Sequence, residues 1–476
     1  MRKIFINICI LFLCSGCRKN FLDRQPTSFS NKADAYSSIQ SIKSALTGCY
    51  SGLKDYRYYG RNFYLFTEVY TDNAKLSSTN LNNFSSFYNY SVLSNTNELD
   101  QFWKLGYSII ARTNNVIDAI QNGKNFSSTD KQQILGEALS IRALVYFDLV
   151  RVFAQPYGIK SGVDSANGSG GHIGIPIILK PSNQDTLLTP RRQNVDSVYK
   201  VILNDLLRAD KLLIPPSQNS DPYTFSSYSV EALLSRVYLT MGVYSQVINY
   251  SYNLIARNFY KLLDNSHYIS SWSISKTDES ILSISMLLND NNGSNSIGYM
   301  LSKSGYGDIV ASQDLYNLYK ETDVRKNLYK KGKDIFVYKY PGRAEGFGID
   351  NIPIIRYSEI YFNYIEAILK YTNYSQTAQN FARSYLDTLM KRVDNNVTPN
   401  KLEGADLMDY ILNERRKEFA FEGQRYFDLK RLQSSIIRTD CNALTCSVSF
   451  PSYLFAMPIP ISEINSNKNM KQNPGY

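Results

Sequence analysis

Glutamates at positions 414, 418 and 422 recur at helical spacing, so a helix through this stretch would stack three carboxylates on one face. Clustered carboxylates are the residue types of a general acid/base pair or of a metal site. The same stretch, residues 411–431, also carries Arg415, Arg416, Lys417 and Arg425. Neighbouring cations lower a carboxylate's pKa, the opposite of what a general acid at neutral pH requires. Glu414 with Lys417, Glu422 with Arg425 and Asp428 with Arg431 are i, i+3 pairs of opposite sign, which read more simply as an ion-paired helix packed against the fold. Leu412, Phe419, Tyr426 and Phe427 supply its packing surface, and Gly423 marks a helix end or a close backbone approach.

Other catalytic signatures are missing. A glycosidase needs two carboxyls about 5 to 10 Å apart across a cleft, and 42 acidic residues do not by themselves reveal such a pair. There is no GxSxG elbow, and His172 and His267 are the only histidines, with no CxxC beyond Cys14–Cys17 in the N-terminal segment. No zinc site is expected, and the glycine- and serine-rich stretch 161–174 lacks the spacing that cradles phosphates.

The elements that must position these residues are mostly helical. Helical period runs through 31–56, 102–120, 130–153 and 195–213. A helix–turn–helix over 226–239 and 243–257, turning at Met241 and Gly242, has tetratricopeptide-like character, repeated at 357–371 and 375–392. Two parts differ. Residues 57–101 are rich in Tyr, Asn and Ser without regular period, as expected of a functional loop region. Residues 262–351 hold β-branched runs at 280–285 and 334–340 around a Gly/Asn/Ser loop at 289–307, as expected of a short-strand region inserted into the scaffold. The proline-broken end, 454–476, is expected to wrap the surface.

Composition narrows the class. The chain has 476 residues, 43% hydrophobic, with Lys and Arg exceeding Asp and Glu by 52 to 42. Without Arg2 and Lys3 the excess is about +8, mild for this length and without a long basic block, so nucleic-acid binding is not indicated. Tyrosine is the outlier, 38 residues against 2 Trp, and its flat face with one hydroxyl suits stacking on sugars or peptides as well as half-buried helix positions.

Residues 1–17, MRKIFINICILFLCSGC, have a positive start and an apolar core too short to span a bilayer. Ser15 and Gly16 before Cys17 resemble a bacterial lipobox, with Cys14 where leucine is usual. A signal peptide over 1–16 is expected, with Cys17 lipidated as the first mature residue, anchoring the protein without spanning the membrane. Cys441 and Cys446 flank a polar loop able to close as a disulfide in an oxidising compartment, and Cys49 reads as a buried thiol.

Several separated motifs together resemble one family, the SusD/RagB-like outer-membrane nutrient-binding lipoproteins. Phe21-Leu22-Asp23 with Pro26 follows Cys17, and Glu68 with Asp72-Asn73 matches an E-x-x-x-D-N segment. Gly136-Glu137-Ala138, Arg142-Ala143 and Tyr146-Phe147-Asp148-Leu149 match a GEA-x-x-x-RA-x-x-YFDL helix. Arg356-Tyr357, Glu359 and Glu366-Ala367 fit another helix, and Glu414 to Arg431 the C-terminal signature, with Gln424 and Tyr426 where His and Trp are frequent. Pro458-Ile459-Pro460 and the final QNPGY match the family's ending. The resemblance spans residues 17–476. It implies a single mostly α domain: a tetratricopeptide-like scaffold (31–56, 102–258, 355–431) with irregular loop-rich, short-strand, ligand-binding parts (57–101, 262–351). It further implies a lipid-anchored, cell-surface outer-membrane protein, not an enzyme and without cofactor. Such a protein captures oligosaccharides, or peptides as in RagB-like members, and pairs with a SusC-like TonB-dependent barrel.

Candidate ligand residues are Asp72 and Asn73 on the family motif, with Tyr88 and Tyr90 nearby, and Trp272, Tyr299 and Tyr306 in the second loop region. The aromatics are chosen for type and context, and for each, packing beneath a loop is the competing role. Trp103, on a helical motif, reads as core.

Overall fold

The computed structural model describes residues 36–123, 126–159, 170–181, 188–398 and 401–476. The signal peptide and Cys17 lie outside them. Helices form where the apolar period lies and start at side-chain caps. Ser38 and Ser226 close capping boxes, while Ser127, Asn194 and Ser375 accept a backbone N–H of the first turn. The Ser128–Phe153 helix is the central member: from Gly136 onward every side chain is buried, so it has no polar face to read. It packs between Asn97–Asn122 and Val195–Leu212; Tyr244–Arg257 packs between Ser227–Met241 and Tyr357–Tyr371, which in turn carries Gln376–Lys391. The array is helix stacked on helix, as the tetratricopeptide-like pattern implied.

The strands are short and, among the described residues, pair only as antiparallel twos. Ser280–Ile284 joins Ile352–Arg356, Ala74–Leu76 joins Ile309–Ala311, and Tyr329–Lys331 joins Ile335–Val337. The Ile352–Arg356 strand leads directly into the Tyr357–Tyr371 helix, with Arg356 at the junction. One connected cluster of buried apolar side chains runs from Ile42 to Met470.

The segment 57–101 is largely turn and irregular chain, as its composition suggested, but much of it is packed inside: all eight residues of the Asn62–Val69 helix are buried, and Tyr58 and Tyr59 are inside the core. Their hydroxyls both donate to the buried carboxylate of Asp148, at 2.7 and 2.6 Å. A tyrosine whose hydroxyl is satisfied costs little to bury, so a polar-looking aromatic segment became core. The C-terminus does not simply wrap the surface. Asn473 is buried, donating to the carbonyls of Phe153 (2.8 Å) and Met457 (2.6 Å) and accepting from Arg192. Trp103 is core, edge-on to Phe153, and Cys49 is buried, its thiol pushed up to about 12 by desolvation.

Candidate functional site

The stacked glutamates are held in a buried charge cluster. Glu418 accepts from Arg356 at 2.8 Å and from the Tyr268 hydroxyl at 3.2 Å and forms an ion pair with Arg392 at 2.8 Å; Arg325 stands 3.4 Å from its other oxygen. Glu422 takes Arg356 (2.7 Å) and Lys339 (2.6 Å), Glu414 takes Arg325 (2.7 Å) and Lys417, and Glu279 takes Arg356 (3.0 Å) and Arg392 (2.8 Å). With Asp323 on Arg325, five carboxylates face five cations, a neutral set. Burial pushes the Glu418 carboxyl up, but Arg392, Arg356 and Arg325 together overcome it and hold the group well below the usual range. Such a carboxylate is a fixed anion that ties strand to helix, and cannot serve as a general acid near neutrality.

One expected helical pair does not form. Glu414–Lys417 and Asp428–Arg431 are present, but Glu422 turns to Arg356 while Arg425 turns to Asp72. The cause is the break between the Gly404–Phe419 and Arg425–Arg431 helices, where Phe421 has φ +64° and Gly423 φ +69°. Gly423 serves both roles expected of it. Its N–H donates to Glu68 at 2.9 Å, and a Cβ there would stand 2.6 Å from the Tyr64 ring. Gly423→Ala is therefore expected to destabilise the protein by roughly 1–3 kcal/mol. An unchanged urea midpoint would remove the argument.

The first group of sequence candidates belongs to this scaffold. Asp72 is buried and pairs with Arg425 at 2.7 Å and Arg416 at 3.2 Å. Asn73 accepts from Arg416 at 2.8 Å and donates to Glu68 at 2.9 Å. Tyr88 donates to Asn442 at 2.8 Å and Tyr90 to the carbonyl of Tyr70 at 3.2 Å, with the Arg438 guanidinium 4.6 and 4.3 Å from their ring centres. The Cys441–Cys446 disulfide closes the loop that brings Asn442 there. The structure places these four expected ligand residues inside the scaffold rather than at an open surface. Their polar atoms are occupied internally and their faces covered, a matter of side-chain direction that residue type does not report. Trp272 lies apart from Tyr299 and Tyr306. Its ring lies over Lys339 (4.7 Å) and Arg356 (5.4 Å), roofing the charge cluster.

Tyr299 and Tyr306 do come together. Ser296 caps the short Ile297–Leu301 helix by accepting the Tyr299 N–H, and the chain then turns so that the Tyr306 N–H donates to the Tyr299 carbonyl at 2.7 Å. Gly305 permits this return: a Cβ there would lie 2.4 Å from the Tyr299 carbonyl oxygen. The two rings stand 6.0 Å apart and tilted, with Phe347 4.6 Å from Tyr299. Tyr306 is 48% exposed. Arg61 lies within electrostatic reach of Tyr306; it stacks over Tyr56 at 4.7 Å and donates to Asn295 at 3.0 Å. Tilted rings beside a guanidinium and an amide offer flat apolar faces and hydrogen-bonding groups, the pairing a sugar ring needs. Phe347, Arg61 and Tyr56 are the members that sequence reasoning missed. The run Gly342, Gly346, Gly348 signalled a shaped loop around Phe347, whereas nothing in the sequence marks Arg61. Among the described residues no group of His, Cys, Asp and Glu is placed to hold a metal ion, and no helix is long and apolar enough to cross a membrane.

The helical scaffold is thus locked by internal charges and presents an aromatic patch at its loops. A family model described as starch-binding, associating with the outer membrane, matches residues 20–239, and the SusD family model matches 327–476. The chain belongs to the SusD/RagB-like family. It is 24% identical to SusD-like protein P2 of Formosa agariphila, covering 100% of both chains. A crystal structure of a SusD superfamily protein from Bacteroides thetaiotaomicron superposes with a TM-score of 0.81 at 27% identity, over 92% of this chain and 100% of that one. The starch-binding protein SusD of the same species is 28% identical over 155 residues, 32% of this chain and 25% of its own.

Proposed function

We propose that the protein is a non-enzymatic, lipid-anchored outer-membrane lipoprotein that binds nutrient oligosaccharides and delivers them to a SusC-like TonB-dependent barrel. Residues 17–476 act as one domain, with Cys17 as the anchor. The observation that carries the binding role is the Tyr299–Tyr306–Phe347 group, in which half-buried Tyr299 and Phe347 back the exposed Tyr306 ring. The family's descriptions, starch-binding and outer-membrane association, support the ligand class and the location. Calorimetry against oligosaccharide and peptide panels tests the reading. Saturable oligosaccharide binding without product after prolonged incubation is expected, whereas turnover would refute it and selective peptide binding would replace the ligand. Cys17→Ala is expected to release the protein from the membrane fraction and abolish fatty-acid labelling. Persistent labelling would exclude Cys17 as the acceptor.

A further inference from the structure

We propose that the aromatic patch takes acidic oligosaccharides, chains bearing carboxylate or sulfate groups, because the lysines of a hairpin beside it outnumber its one aspartate and, among the described residues, form no ion pair. The inference rests on the reading of Tyr299 and Tyr306 as the sugar-binding face. The hairpin is Tyr329–Lys331 paired with Ile335–Val337. Lys330 is the cross-strand partner of Phe336, so the two project to the same side of the ribbon. Phe336 abuts Gly307, the residue after Tyr306: a Cβ at Gly307 would lie 2.7 Å from the Phe336 ring. The strand face carrying Lys330 thus adjoins the turn carrying Tyr306, and Lys303 is exposed on that same turn.

Lys330, Lys331 and Lys333 are exposed, and among the described residues none has a carboxylate within ion-pairing distance. Aromatic rings hold two of them instead, Lys330 at 4.0 Å from the Tyr338 ring centre and Lys331 at 5.3 Å from that of Tyr316. Arg61, on the other side of Tyr306, also bonds only neutral amides, Asn62 and Asn295. The nearby acids are fewer than these cations, two aspartates bonded by neutral donors and one glutamate beside an arginine. Asp308 accepts from the Leu81 N–H and from Asn83, Asp334 from Ser78 at 2.7 Å, and Glu345 stands 3.6 Å from Arg343. Lys330 on the face toward this turn, Lys333 at the hairpin tip and Lys303 leave positive charge beside the aromatic face, while Lys331, opposite Ile335, projects from the other side of the ribbon. Such charge lowers the energy of an anionic ligand and does nothing for a neutral one.

The test uses the mature full-length protein and calorimetry with oligogalacturonides, dextran sulfate oligosaccharides and neutral dextran oligosaccharides of equal length. At 50 mM salt at least one anionic series is expected to bind about tenfold or more tightly than the neutral one, and the two anionic arms tell carboxylate from sulfate. The advantage should collapse at 0.5 M salt, where charges are screened beyond ~4 Å. Lys330→Ala/Lys331→Ala/Lys333→Ala should lower anionic affinity by about tenfold while Tyr306→Ala lowers it independently. Absence of anionic binding, or an anionic affinity that the lysine variant leaves unchanged, overturns the proposal. Neutral binding lost in Tyr306→Ala but untouched by the lysine variant would leave the sugar-binding face standing and remove only the preference. Anionic binding sensitive to the lysines but not to Tyr306 would overturn both, placing an anion surface apart from the aromatic face.

Discussion

Glu418→Ala is expected to cost about 3–5 kcal/mol of stability, the largest effect of any single charge removal in this chain. The side chain is fully buried and is shared by Arg325, Arg356 and Arg392. Deleting it leaves an excess of buried positive charge with no water to solvate it, so the loss exceeds that of any one hydrogen bond. Urea denaturation followed by circular dichroism measures it. A midpoint within experimental error of wild type would show that water enters the cluster. The pH dependence has a definite sign. Glu418 is held below its unfolded pKa, so its contribution is complete above about pH 4.5 and is lost as pH falls through the depressed folded value. Glu418→Gln should accordingly flatten the acid limb of the stability curve.

Tyr306→Ala is expected to weaken oligosaccharide binding by about 10- to 30-fold, or ~1.4–2 kcal/mol, while leaving the melting temperature nearly unchanged. Half the ring is already in water, so folding gains little from it and a ligand gains much. Tyr90→Ala supplies the opposite pattern. That ring is buried edge-on to Tyr70, 4.8 Å away, with Arg438 against it, and its removal should cost about 3–5 kcal/mol of stability without a direct effect on affinity. If Tyr306→Ala melts early with affinity intact, the patch is structural and the ligand lies elsewhere.

Much of the scaffold was legible because local rules and tertiary packing agree there. The Tyr357–Tyr371 helix lies where its apolar period begins and ends, and Val195–Leu212 starts at the Asn194 cap and stops before Pro215 and Pro216. The burial of Tyr58 and Tyr59 within the 57–101 segment was not legible, for the converse reason. Its tyrosines have no helical stripe, and only the distant Asp148 carboxylate, about ninety residues away, makes Tyr58 and Tyr59 comfortable inside. Site candidates divided in the same way. Tyr299 and Tyr306 are close in sequence and a local turn unites them, whereas Arg61 reaches Asn295 across 234 residues.

What the sequence determined by itself about residues 411–431 is their chemistry: carboxylates at helical spacing, surrounded by cations and without a histidine, suited to ion pairing rather than proton transfer. The partners were decided by tertiary structure alone. Arg356 from a strand, Arg392 from beyond a helix end and Arg325 from a short turn converge on Glu418, and the bend at Gly423 sends Glu422 and Arg425 apart. Charge is a property of residue type and survives in the one-dimensional chain. Distance and burial, which determine whether a carboxylate is a catalyst, a ligand contact or a fixed strut, arise only when remote segments meet.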